Sequence, residues 1–291
     1  MAATLRYTEP GSIRSPEQGR SEFVPLLPEA GPEEIDERFG TGLDETVWTP
    51  AYLPAWSSAQ ASAATYAVDA GGLRLSIPPE QPLWCPDLHD GPLRVSAVQS
   101  GNWSGPVGST RGQQPFRPGL VVAEAQPRQW GFTPHYGHIE VTCRATLSPR
   151  SMFSAWMIGL EDKPEHCGEI CLVEVFGDSV VTAAGGVTMV ALGRGIHRFR
   201  DPALAEEFSA DPYPLDVSRL HRYAVDWQPG RVDFFVDDVR TMSAGQAPNY
   251  PMELIIGVFD FPDRADPMDA TPPVPELVVS RVLGKRSSVD R

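Results

Sequence analysis

The sequence predicts an all-β fold, a sandwich of two packed antiparallel sheets, and three observations carry the prediction. Thirty prolines and 26 glycines spread through 291 residues cut the chain into short segments, which suits many strands and turns better than long helices. Short β-prone runs recur from Ile35 to about Leu283, and several alternate apolar with polar residues, as a strand with one buried face does. Other runs are largely apolar, as a strand covered on both faces requires. With 41% hydrophobic residues the chain can fill a substantial core, and an all-β unit of about 250 residues is an ordinary single domain.

Residues 1–34 are rich in Pro, Glu, Ser and Gly and show no hydrophobic period, the composition of a flexible arm that cannot repay its ordering entropy. The β-rich domain is expected over 35–285, followed by a tail at 286–291. Within the domain, 72–77, 138–143, 153–158 and 232–236 read as strands, while 180–184 and 254–259 are apolar enough for strands buried between sheets. Asp237-Asp238 after Phe-Phe-Val reads as a hairpin turn. The one plausible helix lies in 201–220, with Asp201 as N-cap and Pro202 at the first helical position. No internal repeat is visible.

A formal net charge of −14 opposes phosphate backbones and anionic membrane surfaces, so neither nucleic acid nor membrane is expected as a partner. No apolar run approaches the roughly 18 residues of a spanning helix, and residues 1–22 lack the hydrophobic stretch of a signal peptide. A cytoplasmic, monomeric protein is the default expectation. Cys85, Cys143, Cys167 and Cys171 are too few and too scattered for a disulfide framework. If Cys167 and Cys171 share one extended strand, their Cα atoms stand roughly 13 Å apart, beyond bridging range. His166 beside Cys167 has no second ligand pair at zinc-like spacing, so no metal and no cofactor are expected.

Residues 168–177, Gly-Glu-Ile-Cys-Leu-Val-Glu-Val-Phe-Gly, place two glutamates in a β-prone run. In a regular strand Glu169 and Glu174 would point to opposite faces, sending one into apolar packing. A β-bulge between them restores the alternation and sets Glu169, Cys171 and Glu174 on one face. The backbone separation is then about 13 Å. Side-chain reach brings the carboxyl groups to roughly 5–6 Å, the spacing of a retaining glycosidase pair. Read alone, the two glutamates fit equally well a solvated pair on an exposed strand face.

Three flanking features alter that balance: Tyr136-Gly-His-Ile-Glu-Val, then Met152-Phe-Ser-Ala-Trp-Met, and later Leu220-His-Arg-Tyr-Ala-Val-Asp-Trp-Gln-Pro-Gly and the strand and turn after it. In this order around the glutamates they resemble glycoside hydrolase family 16, the laminarinase-like β-glucanases, over about 36–284. The resemblance implies a β-jelly roll with a concave, glycan-binding sheet. It implies Glu169 as nucleophile and Glu174 as general acid/base in a retaining double displacement. Proteins of that family are often secreted.

The chain departs from the family pattern at Cys171, where an aspartate usually stands. A neutral thiol is a weak donor, so Glu169 can stay ionised but is held less firmly. Ser154 and Glu140-Val-Thr-Cys-Arg144 are smaller departures, read as structural. Sugar rings pack their C–H faces on aromatic side chains. Trp156, Tyr136, Phe176, Trp130 and Trp103 are therefore expected to contact substrate, with Trp156 on the cleft floor; for Trp84, Trp103 and Trp130 simple packing is the competing reading. His197 is a further candidate for a sugar hydroxyl, and His221 reads as a structural residue at a strand end. The functional expectation is an endo-acting retaining hydrolase of a β-linked polysaccharide, β-1,3- or β-1,3/1,4-glucan by default. Two alternatives are a non-catalytic, lectin-like jelly roll and a sandwich used for protein interaction.

Overall fold

A computed structural model describes residues 31–264 and 273–286. Of the arm expected at 1–34, residues 1–30 lie outside the described residues, as do residues 287–291 of the tail expected at 286–291. Seventeen strands and three short 3-10 turns are present among the described residues, with no α-helix. In chain order the first strands are β1 (Ile35–Glu37), β2 (Thr65–Asp69), β3 (Gly72–Ser76), β4 (Arg94–Gln99), β5 (Gly101–Asn102) and β6 (Gln129–Trp130). The central group is β7 (Gly137–Thr146), β8 (Ser151–Gly159), β9 (Glu169–Phe176), β10 (Val181–Thr182), β11 (Thr188–His197) and β12 (Glu207–Pro214). The last are β13 (His221–Gln228), β14 (Arg231–Val236), β15 (Val239–Ala244), β16 (Met252–Asp260) and β17 (Glu276–Lys285).

An eight-stranded sheet runs β15-β14-β13-β7-β17-β3-β2, with β1 also on β17, and a seven-stranded sheet contains β11-β9-β8-β16-β4 with β10 and β12 on β11. All the strand pairs of these two sheets are antiparallel. The result is a jelly-roll sandwich. Its inner core takes Val141, Tyr223 and Val225 from one sheet and Phe153, Ala155, Ile170 and Ile256 from the other. Phe153 meets Tyr223 across the gap at 5.9 Å between ring centroids.

Every residue of β8 and of β16 is buried, which explains why neither alternates in sequence. One face packs on the inner core. The other is covered by a second cluster of Leu53, Trp56, Trp84, Val95, Trp156, Ile255 and Phe259, supplied partly by the segments between β1 and β7. No helix is long and apolar enough to cross a membrane among the described residues.

Asp237 and Asp238 form the two-residue turn between β14 and β15, at φ 49 and 67, the left-handed pair that matches strand twist in a tight hairpin. His221 ties this turn down: its Nδ1 pairs with Asp237 Oδ2 at 2.7 Å and its Nε2 with the Asp216 carbonyl at 3.0 Å.

Two expectations are corrected. The segment 201–220 holds no helix. Asp201 does cap, but it caps a turn, accepting from Ala203 N at 2.8 Å, and its other oxygen accepts from the Tyr250 hydroxyl at 2.6 Å. The chain then enters β12, where Pro212 and Pro214 forbid helix continuation and are tolerated because β12 is the outer edge beyond β11. The apolar run 180–184 is no buried strand either: β10 is two exposed residues of a short hairpin, with Val181 60% exposed.

Candidate active site

The bulge is present. On β9, Val173 pairs with Ala155 and Cys171 with Trp156, leaving Leu172 without a partner on β8. Toward β11, Glu174 pairs with Gly193 and Cys171 with Gly195, so two residues oppose one. Ile170, Leu172, Val173 and Val175 consequently all face the inner core, while Cys171 and Phe176 join the outer cluster. Glu169 and Glu174 emerge on that outer face, half-buried.

Registers across the sheet define the surroundings. Glu169 stands opposite His197 on β11 and Ile158 on β8, and Ile158 stands opposite Glu253 on β16. Glu174 stands between Gly193 and Ser154, and Ser154 stands opposite Gly257. Small residues on both sides of Glu174 open space for neighbouring rings. A Cβ on Gly193 would lie 2.9 Å from Phe208 Cζ and 3.0 Å from Glu174 Cβ, so the Phe208 ring reaches from edge strand β12 over Gly193 to the carboxylate-bearing strand. On the other side Tyr52 lies 6.3 Å from Trp156 and 5.5 Å from Phe259 between centroids. Its backbone is pinned by Trp84, whose indole N–H donates to the Tyr52 carbonyl at 2.9 Å. The glutamates thus lie between Phe208 with His197 on one flank and Tyr52 with Trp156 on the other.

Among the described residues neither glutamate carboxyl makes a hydrogen bond or ion pair. Burial pushes Glu174 up to about 7, while the Arg264 guanidinium pulls it back. Glu169 is pushed well above the usual carboxylate range, by burial first and then by the negative charges of Glu174 and Glu206. Two such carboxyls retain a proton near neutrality, as an acid and base pair requires. Cys171 is 1% exposed, and burial followed by the charges of both glutamates holds its thiol neutral. The sulfur has Ser154 as hydrogen-bonding neighbour.

The other sequence-expected residues are spread more widely. Trp156 is the neighbour of Cys171, but it is 5% exposed beneath Tyr52 and Phe259, and its Nε1 is buried without a hydrogen-bond partner among the described residues. Phe176 lies on the outer face, 6.0 Å from Phe261, with Arg264 at 5.2 Å over its ring. Trp103 is 8% exposed, donates its indole N–H to Leu160 O and carries Arg111 at 5.4 Å over its ring. Trp130 pairs with Gly101 in the small β5-β6 ladder. Tyr136 directly precedes β7 of the eight-stranded sheet, where it packs on Trp227 and donates to Asn249 Oδ1 at 2.7 Å, so the fold does not bring it to the strand bearing the glutamates. All four cysteines are free and buried. No group of metal-ligating side chains occurs among the described residues.

Four residues beside the pair escaped the sequence reading: Tyr52, Glu206, Phe208 and Arg264. A second acidic cluster also appeared. Glu253 accepts from Gly101 N at 2.9 Å and from the Gln113 amide, and buried Glu161 pairs with Arg200.

The seven-stranded sheet of this jelly roll thus carries two partly buried glutamates on one bulged strand, neither with a hydrogen bond or ion pair among the described residues. Residues 130–271, which include both glutamates, match the family model for glycosyl hydrolases family 16, and the matched region is that of a family 16-like glycosidase. The fold is similar to that of a GlcNAcα1-4Gal-releasing endo-β-galactosidase from Clostridium perfringens (22% identity, TM-score 0.69, covering 90% of this chain and 67% of that one). It is also similar to laminarinases from Flavobacterium sp. UMI-01 (16% identity, TM-score 0.55, 86% of this chain and 99% of that one) and Rhodothermus marinus (15% identity, TM-score 0.54, 87% and 96%). No curated protein matches the sequence.

Proposed function

We propose that the protein is an endo-acting, retaining hydrolase of a β-linked polysaccharide, with Glu169 as nucleophile and Glu174 as general acid/base. The observation that carries this reading is the bulge at Leu172, which turns both carboxyls to the outer face of the seven-stranded sheet between two aromatic flanks. The Glu169 carboxylate attacks the anomeric carbon as the glycosidic C–O bond breaks and Glu174 gives its proton to the leaving oxygen. Water then attacks the glycosyl-enzyme ester, its proton returning to Glu174 and the ester electrons to Glu169. A sugar hydroxyl in place of water gives transglycosylation. Phe208 and Tyr52 offer ring surfaces for pyranose C–H faces.

β-1,3- or β-1,3/1,4-glucan is the default substrate, on the likeness of the sequence motifs to laminarinase-like enzymes. The test is Glu169→Ala against a panel of β-glucans and β-galactans, with product anomers read by NMR. Hydrolysis is abolished, and azide restores turnover of an activated glycoside with inverted product. Unchanged activity overturns the assignment. Cys171 at the usual aspartate position favours the second reading, a binding-only jelly roll, which predicts glycan affinity with no turnover in the parent protein.

A further inference from the structure

Phe199 is a large apolar side chain left 46% exposed, on a backbone at φ 45. It takes the second position of a turn that the Asp201 N–H closes on the Arg198 carbonyl at 2.9 Å, a position where positive φ ordinarily calls for glycine, asparagine or aspartate. The turn is held on both sides. The Arg198 N–H donates to Glu206 Oε2 at 3.3 Å, the Arg200 N–H donates to Cys167 Sγ at 3.3 Å, and the Arg200 side chain pairs with Glu161. Asp201, itself 4% exposed, accepts from Ala203 N and from the Tyr250 hydroxyl. A bulky residue kept in a strained conformation by this many contacts marks an over-determined local structure, and strain of that kind collects at ligand clamps. Core packing does not account for the ring, since nearly half of it stays in water.

The ring also continues a line of aromatic surface that begins beside Glu174. Phe208 reaches over Gly193 to the strand that bears the glutamates. His197 stacks on Phe208 at 4.4 Å between centroids with 26° between planes, and Phe199 lies 5.8 Å from the imidazole at 40°. Phe208 pairs with Gly195, and Gly195 shares a face of β11 with His197, which stands opposite Glu169. The three rings therefore run from the strand of the acid, past the residue facing Glu169, to the turn beyond β11. Glu206 fixes the middle of the line by holding His197 Nδ1 at 2.5 Å. His197 Nε2 has no partner among the described residues, and the Arg198 side chain is exposed beside it. An exposed aromatic face bordered by polar groups is the surface that a pyranose ring takes.

We propose that Phe199 is the stacking platform of an outer subsite for the β-linked polysaccharide, binding a pyranose ring beyond the sugars held at Glu169 and Glu174, with Phe208 and His197 as the aromatic path that leads to it. This rests on the reading of the two glutamates as the catalytic pair, because the point of cleavage sets which sugars lie farther out. Phe199 is then a specificity-determining residue. It adds affinity for long chains and touches no reacting atom. The clamped turn serves the same end, since a ring that is already ordered loses little freedom when a sugar stacks on it.

The test compares the parent with Phe199→Ala, Phe199→Gly and Phe199→Trp on laminari-oligosaccharides of increasing length and a matching β-galactan series, beside a short activated aryl glycoside. In Phe199→Ala the penalty grows with chain length, reaching about tenfold for the longest members and far less for the aryl glycoside, and it falls on KM more than on kcat. Phe199→Trp restores the long-chain KM. Phe199→Gly binds long chains as weakly as Phe199→Ala yet melts at least as high, because glycine takes positive φ without strain. In folded variants, an equal penalty on short and long substrates, or none on any, overturns the proposal, while turnover by the parent leaves the catalytic reading standing. A parent that cleaves neither series overturns the catalytic reading. The platform is then judged by isothermal titration calorimetry with the long oligosaccharides: parent affinity that Phe199→Ala loses supports it, and affinity that is retained, or absent in the parent, overturns it as well.

Discussion

Glu174 and Gly193 are register partners across β9 and β11, and the absence of a side chain at Gly193 is what lets the Phe208 ring lie against the acid's strand. Gly193→Ala would set a methyl 2.9 Å from Phe208 Cζ and 3.0 Å from Glu174 Cβ and its carbonyl oxygen. The ring has to move, and the flank beside the acid moves with it. We expect kcat/KM to fall by about tenfold, or about 1.4 kcal/mol of transition-state stabilisation, while melting shifts by only a few degrees. Steady-state kinetics on an oligosaccharide series checks this, and unchanged constants would show that Phe208 is not part of the substrate flank.

Glu174 also has a cost in stability that follows from its environment. Its carboxyl titrates at about 7 in the folded protein against an ordinary value of 4.5. The folded state therefore binds this proton more tightly than the unfolded chain. The penalty is absent below about 4.5, grows as pH rises toward 7 and is complete above it. Glu174→Gln removes it. The variant should be more stable than the parent near pH 8 by on the order of 1–3 kcal/mol, with the advantage fading toward pH 4. Urea unfolding at the two pH values measures it, and an advantage independent of pH would mean that packing, not charge, is responsible.

Cys171 lies between the two carboxyls on a fully buried stretch of the floor, with Trp156 on one side and Gly195 on the other. Cys171→Asp introduces a third acid there. Its negative charge raises both neighbours, so the activity optimum should move to higher pH while activity is preserved or increased. A pH–rate profile decides the matter. A folded variant with no activity at any pH would show that the thiol itself is required.

The glutamate-bearing strand was legible because its apolar alternation conflicts with the spacing of its acids, and one bulge resolves the conflict. The same kind of local signal misled at Asp201: Asp followed by Pro is the chemistry of a helix start, but also of an isolated Asx turn, and only the pairing of β12 with β11 decides between them. Val180–Ala184 failed for a related reason, since an apolar run does not reveal whether anything covers it. Tyr52, Glu206, Phe208 and Arg264 were not legible at all. Tyr52 lies more than a hundred residues before the glutamates, and the others reach them through the outer-edge pairing of β12 or the turn after β16. Trp156, expected on a cleft floor beside the glutamates, stands on β8 opposite Cys171, and its burial beneath Tyr52 depends on a loop with no sequence signature.

The lone extra residue at Leu172 has a consequence for how this strand can change. Deleting that residue would remove the bulge and leave the two acids four apart on a regular strand, still on one face at about the same spacing. Deleting a further residue would put them three apart, turning one acid inward among core side chains. The strand is therefore guarded by odd-and-even counting: the interval tolerates loss of the bulge but not loss of a paired residue.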